Sequence, residues 1–211
     1  MKSIIVKDGY GIIAVCIILA IVLAYILGPI GAILPFGLAL FMMFFFRNPN
    51  RIFDNDDSVL LSPADGTVME IKDCYDEEYL EANAKKVTIF LSVFDVHVNR
   101  SPMRGQIKYQ RYTCGGFRPA YKKVASFENE RHAIGIENEK MKILVVQIAG
   151  ILARRIVSWV TLGVELEQGQ RYGMIKFGSS TELIMPENVE VLVKKGDKVK
   201  GGVTVIGRVV N

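Results

Sequence analysis

A chain of 211 residues, half of them hydrophobic and with a mean hydropathy of +0.26, is too apolar on average for an ordinary soluble domain of its length. Its net charge of +4 and pI near 8.9 suit an anionic lipid surface, and the lack of any dense Lys/Arg cluster excludes nucleic acid as the partner. Cys16, Cys74 and Cys114 lack metal-ligand spacing and read as reduced thiols. The two histidines, His97 and His132, have no His or Cys neighbour at ligand distance, so no metal site is expected.

The apolar excess sits at the N-terminus, where no charged residue occurs from Gly9 to Phe46. As one helix that run would far exceed the roughly 30 Å hydrocarbon core at about 1.5 Å per residue, and Gly28-Pro29-Ile30-Gly31 interrupts it. The pattern predicts two membrane helices, about 10–27 and 32–46, forming a hairpin. Lys2 and Lys7 flank one end and Arg47 and Arg51 the other, which puts both ends in the cytoplasm. Of the competing readings, a cleaved signal peptide is disfavoured because the run is too long and lacks a small-residue cleavage pattern, and a re-entrant segment stays open as the alternative. Residues 1–46 are therefore read as the anchor and 47–211 as one globular domain.

Past a solvated turn at 54–57, strand-like residues on both sides of Ala64-Asp65-Gly66 predict a tight turn between two short strands. Residues 87–94 read as another strand. It leads into Asp95-Val96-His97-Val98-Asn99, where alternation would put Asp95, His97 and Asn99 on one face. A helix is expected near 120–130, a strand over 142–151, and its continuation to 160 past Arg154-Arg155. Residues 189–207 alternate strands with Gly-Asp and Gly-Gly turns, much like the hammerhead turns of biotinyl and lipoyl carrier domains, but without an acceptor lysine at the place those domains use. The class is mainly β (α+β): a compact β-rich, barrel-sandwich-like domain behind a two-helix transmembrane hairpin.

The apolar run Tyr172-Gly173-Met174-Ile175-Lys176-Phe177 stops at Gly178 and presents Ser179-Ser180-Thr181. A serine needs a positioned base and an oxyanion-stabilising pocket before it attacks a carbonyl, and for Ser179 the nearest carbonyl is its own peptide bond to Gly178. Glycine there removes the Cβ that would crowd a strained turn. The run reads as a self-cleavage site, set against the ordinary turn that a Gly-Ser-Ser-Thr tetrapeptide more commonly makes. A Gly-x-Ser-x-Gly nucleophile elbow is absent, which argues against a serine hydrolase.

Taken together, Phe44-Phe45-Phe46-Arg47-Asn48-Pro49, Ser62-Pro63-Ala64-Asp65-Gly66, Asp95-Val96-His97-Val98-Asn99-Arg100, Asn129-Glu130-Arg131, Gln147-Ile148-Ala149-Gly150 and Phe177-Gly178-Ser179-Ser180 occur in an order that resembles the short-form phosphatidylserine decarboxylase family, including its archaetidylserine decarboxylase branch. The resemblance covers nearly the whole chain. It implies a proenzyme that cuts itself between Gly178 and Ser179 into a larger β chain (1–178) and a smaller α chain (179–211) that stay associated. Ser179 would become a covalent pyruvoyl cofactor, the electron sink for decarboxylating a serine-headgroup phospholipid at the cytoplasmic side of the membrane. Carried over by position, His97 would be the base on the Ser179 hydroxyl and later the proton donor, with Asp65 orienting and charge-stabilising it. His132, next to Asn129-Glu130-Arg131, is assigned no catalytic part. Arg154 and Arg155 are candidates to hold the lipid phosphate as fork donors, or are ordinary surface arginines. A homo-oligomer is compatible with the family. The competing reading is a membrane-tethered barrel-sandwich binding or carrier module without chemistry.

Overall fold

The computed structural model describes residues 4–52, 55–116, 129–150, 155–176 and 179–210. The chain divides into two compact units, Met1–Asn50 and Arg51–Asn211.

The first unit is a helical hairpin. Helix α1 spans Lys7–Leu27 and α2 spans Pro29–Phe45. The break between them is narrower than the sequence suggests, because Gly28 alone leaves the helical path, at φ 77°. Pro29 can then open α2, since a proline in the first helical turn gives up an N–H that would have no partner there. At 21 residues α1 is long and apolar enough to cross a membrane, whereas α2 is shorter, at 17 residues. The open ends are tied together by Val6 N–H to Phe46 O (3.0 Å) and Asn48 N–H to Ile4 O (2.7 Å).

The second unit is antiparallel β throughout its described ladders. Eight strands form the main sheet in the order β13 (Lys198–Val199), β2 (Gly66–Asp76), β3 (Ala82–Leu91), β11 (Ser179–Pro186), β7 (Lys142–Ala149), β6 (Arg131–Glu137), β5 (Gly105–Thr113) and β9 (Glu165–Leu166). Two three-stranded sheets accompany it, β1 (Val59–Leu61), β14 (Val205–Val209) and β12 (Val189–Val191), and β4 (Val98–Arg100), β10 (Arg171–Lys176) and β8 (Arg155–Ser158). The mainly β class with an N-terminal helical pair is as the sequence indicates.

The main sheet is buried on both faces. Ile89, Val145, Leu183 and Met185 belong to the larger core on one side, and Ala84, Leu144, Val146 and Ile184 to a smaller core on the other. Strand β11 sits at the centre, so its side chains are buried on both sides. This strand is only partly visible in the sequence, because Glu182 interrupts the apolar run. In the fold Glu182 is buried against Lys86 at 3.0 Å, an ion pair on the smaller-core face.

Three local expectations are corrected. Residues 62–65 do not close a hairpin, because β1 pairs with β14 while β2 pairs with β3 and β13; the segment crosses between sheets. Asp95 does not continue a strand with His97 and Asn99. It lies in a turn that closes after Leu91, its carboxylate accepting the Ser92 N–H at 2.8 Å. The strand at 155–158 does not extend β7 but joins β10 in another sheet. The helix expected near 120–130 lies outside the described residues except at its last two positions, and Arg154 and Gly178 also lie outside them.

Candidate active site

Ser179 is the first residue of β11, flanked in register by Leu91 of β3 and Ala149 of β7. It is completely buried, and among the described residues its Oγ has no hydrogen-bond partner. An unpartnered buried hydroxyl costs about 1–3 kcal/mol, and among the described residues Ser179 Oγ shares that condition with Tyr172 Oη. The pleat also separates the two adjacent serines. Ser179 shares a face with Thr181 and Leu183 toward the larger core, and Ser180 shares the opposite face with Glu182 and Ile184. Of the two serines, only Ser179, which follows Gly178 in the sequence, faces the larger core.

Four strands place His97 at the same height. One level of the structure contains Thr181, its register partner Gln147, Gly173 of β10 beside the Gln147 amide, and Asn99, the partner of Gly173. Asn99 Nδ2 donates to Thr181 Oγ1 at 3.1 Å across this level. Two residues along each chain lie Ser179, Ala149, Ile175 and His97. Ser179 pairs with Ala149, Ile175 packs on Ala149, and Ile175 N–H donates to His97 O at 3.3 Å. Gly173 is required for the layers to close, because a Cβ there would lie 2.4 Å from Val157 O.

His97 is fully buried, with Nδ1 2.9 Å from Asp95 O. A carbonyl can only accept, so Nδ1 carries a proton, and in the neutral ring the lone pair is then on Nε2, the tautomer a general base requires. Asp95, one of the three polar residues grouped in the sequence, thus acts through its backbone.

Asp65 has a different set of partners. Its carboxylate takes a two-pronged contact from Arg51, at 2.6 and 2.7 Å, and the Gly201 N–H at 2.8 Å. Arg51 also donates to Gly201 O at 2.6 Å, which closes a ring of charge-assisted bonds. The Gly-Gly turn that looked like a carrier-domain hammerhead is therefore the cradle of Asp65. Gly66 lets the chain pass β3 at φ 154°, where a Cβ would lie 2.1 Å from Phe90 O. The adjoining Pro63 O accepts from both Arg100 N–H (2.9 Å) and Asn99 Nδ2 (3.3 Å), so the Asp65 segment is fastened to β4. Among the described residues Asp65 and His97 share no hydrogen bond. Burial, reinforced by the neighbouring Arg51 and Arg171 guanidiniums, pushes Arg100 down to about 10.

Several functional neighbours are not legible in the sequence. Asn129 Nδ2 donates to Ala149 O (2.6 Å) and Ala149 N–H to Glu130 O (2.9 Å), which fixes the residue beside Ser179. The Glu130 carboxylate in turn accepts from Tyr112 Oη and from Ile156 N–H. His132, set aside above, is buried in a chain of side-chain amides that begins at Gln110 and ends at Thr181. Burial pulls its imidazole below the usual histidine range, partly opposed by its bond to Gln147. Arg155 is exposed at the start of β8.

Residues 38–207 match the family described as phosphatidylserine decarboxylase. A phosphatidylserine decarboxylase proenzyme of Carboxydothermus hydrogenoformans is 54% identical over 178 residues, 84% of each chain. The proenzyme of the same name from Symbiobacterium thermophilum is 43% identical over 98% of this chain and 96% of the relative. That of Geotalea uraniireducens is 40% identical over 96% and 95%.

Proposed function

The chain belongs to the phosphatidylserine decarboxylase family, a decarboxylase of that phospholipid, and we propose that it works through a pyruvoyl group made from Ser179 by self-cleavage after Gly178. The observation that carries this reading is the buried Ser179 Oγ, without a hydrogen-bond partner among the described residues, at the level of a histidine whose Nε2 is the basic nitrogen when the ring is neutral.

In the maturation step His97 Nε2 takes the Ser179 hydroxyl proton as Oγ attacks the Gly178 carbonyl carbon. The Gly178–Ser179 C–N bond breaks as the ester C–O bond forms, and the freed α-amine receives the proton. His97 then removes the Ser179 α-proton while Gly178 departs as a carboxylate. Water hydrolyses the resulting enamine, ammonia leaves, and a ketone heads the 179–211 chain. The Ser179 position fits that outcome, since losing the hydroxyl breaks no hydrogen bond among the described residues. Once present, the pyruvoyl group supplies an electron sink for the pair left behind by CO2. His97 Nε2 holds the proton that returns to the carbon from which the carboxylate left. The Asp95 carbonyl keeps the ring in the required tautomer, and Asp65 with Arg51 braces the 62–66 segment against β4.

The reacting headgroup is the same in archaetidylserine, and the proposal extends to it. Lys7, Arg47 and Arg51 support a cytoplasmic placement of the catalytic unit, with the hairpin concentrating the enzyme at its lipid. The test is CO2 release from phosphatidylserine in detergent micelles. The purified chain should release it and run as two fragments, whereas Ser179→Ala should stay whole and release none. An uncut but active wild type overturns the proposal.

A further inference from the structure

We propose that His132 is a positioning residue for maturation, setting the direction of a buried hydrogen-bond chain that ends on the Thr181 hydroxyl beside Ser179. The inference rests on the self-cleavage reading and extends it to residues far from the junction in sequence.

Three of its members share one rung of the main sheet, since Thr181 is in register with Gln147 and Gln147 with His132, while Asn99 joins from β4 and Gln110 from two residues along β5. Its direction follows from chemistry at its two ends. Gln110 Nε2 lies 3.3 Å from Val160 O and Asn99 Nδ2 lies 3.3 Å from Pro63 O. Carbonyls only accept, so both amides must show their NH2 groups there. Asn99 Oδ1 then needs a donor and receives Gln147 Nε2 at 2.8 Å. Gln147 Oε1 is left facing His132 Nδ1 at 3.1 Å, which must carry a hydrogen. His132 Nε2, 2.9 Å from the Gln110 NH2, must be the acceptor. Only the neutral Nδ1–H imidazole satisfies every member. A proton on Nε2 would meet the Gln110 N–H groups, and its absence from Nδ1 would leave two acceptors face to face.

Every N–H in the chain therefore points toward Thr181. Asn99 Nδ2 occupies a lone pair of Thr181 Oγ1, and that oxygen has no second partner among the described residues. The Thr181 O–H is thus left to donate, one side chain along the same face from Ser179. A histidine that lost its grip on Gln147 would free that amide to turn over. Asn99 would follow, and the donor at Thr181 would lose its orientation. Asn99, Gln147, His132 and Thr181 are all at least nine-tenths buried, so water cannot substitute.

The test follows self-cleavage of the freshly synthesised full chain on denaturing gels, with the melting temperature of each variant measured alongside. His132→Leu and Thr181→Val should each slow cleavage by roughly tenfold, the scale of one misdirected buried hydrogen bond. The double variant should be no slower than Thr181→Val, because both act through one oxygen. His132→Asn, which keeps an N–H for Gln147, should recover most of the rate. Normal cleavage in folded His132→Leu, or slowing that multiplies in the double variant, overturns the inference. If His132→Leu does not fold, Thr181→Val decides alone, and normal cleavage by it is fatal. A wild-type chain that never cleaves removes the self-cleavage reading itself, and this inference with it.

Discussion

The surroundings of Asp65 and Ser179 treat a buried polar group in opposite ways. The Asp65 carboxylate is gripped by two Arg51 nitrogens and a backbone N–H, all within 2.8 Å. The Ser179 hydroxyl is buried more completely and has no partner among the described residues. A polar group held by several charge-assisted bonds is fixed in place, whereas an unpartnered hydroxyl gives up no bond when it reacts. The contrast divides two residues that family resemblance groups together as one catalytic set. In this fold the Asp65 carboxylate is paired with Arg51 and the Gly201 N–H, while His97 Nδ1 lies against the Asp95 carbonyl.

Substitution should separate the two roles. The largest effect is expected from His97→Ala, which should abolish self-cleavage while leaving the melting temperature near that of the uncut Ser179→Ala chain. Asp65→Asn should behave in the reverse proportion. It leaves Arg51 buried without its counter-charge, a loss on the order of 3 kcal/mol, and cleavage should be slowed but not stopped. Chemical denaturation and a cleavage time course on the same samples measure both quantities. A stable but wholly uncleaved Asp65→Asn chain would return Asp65 to a direct part in the chemistry.

The smallest effect concerns pH. His132 binds its proton less readily folded than unfolded, because burial disfavours the charged ring. Its contribution to stability is then fully present above the unfolded value near 6.5 and is lost as pH falls toward the lower folded value. His132→Asn should flatten that part of the acid limb in denaturation curves measured from pH 7 downward. An unchanged acid limb would mean that other groups dominate it.

Ser179 and His97 stand out in the sequence as candidates, the serine by the glycine before it and the histidine by the polar residues around it, and the fold buries both. The hairpin was legible in the same local way, as an uncharged run with a glycine-proline break. What could not be read was pairing at long range. Arg51 looked like a charge flanking the membrane segment, yet its partner is Asp65. Gln110, His132, Gln147 and Asn99 are separated along the chain and meet only because β4, β5, β6 and β7 are stacked and in register. Central strand β11 was obscured past Thr181 by Glu182, whose buried partner Lys86 lies on another strand.

The central claim is that Ser179 gives up its amine to become the cofactor, and the mass of the small fragment tests it most directly. Purified wild-type chain, separated under denaturing conditions, should yield a 179–211 fragment lighter by one ammonia than a serine-headed peptide. That fragment should also react with a carbonyl reagent and resist N-terminal sequencing. A small fragment beginning with an intact serine amine would mark ordinary proteolysis and contradict the account.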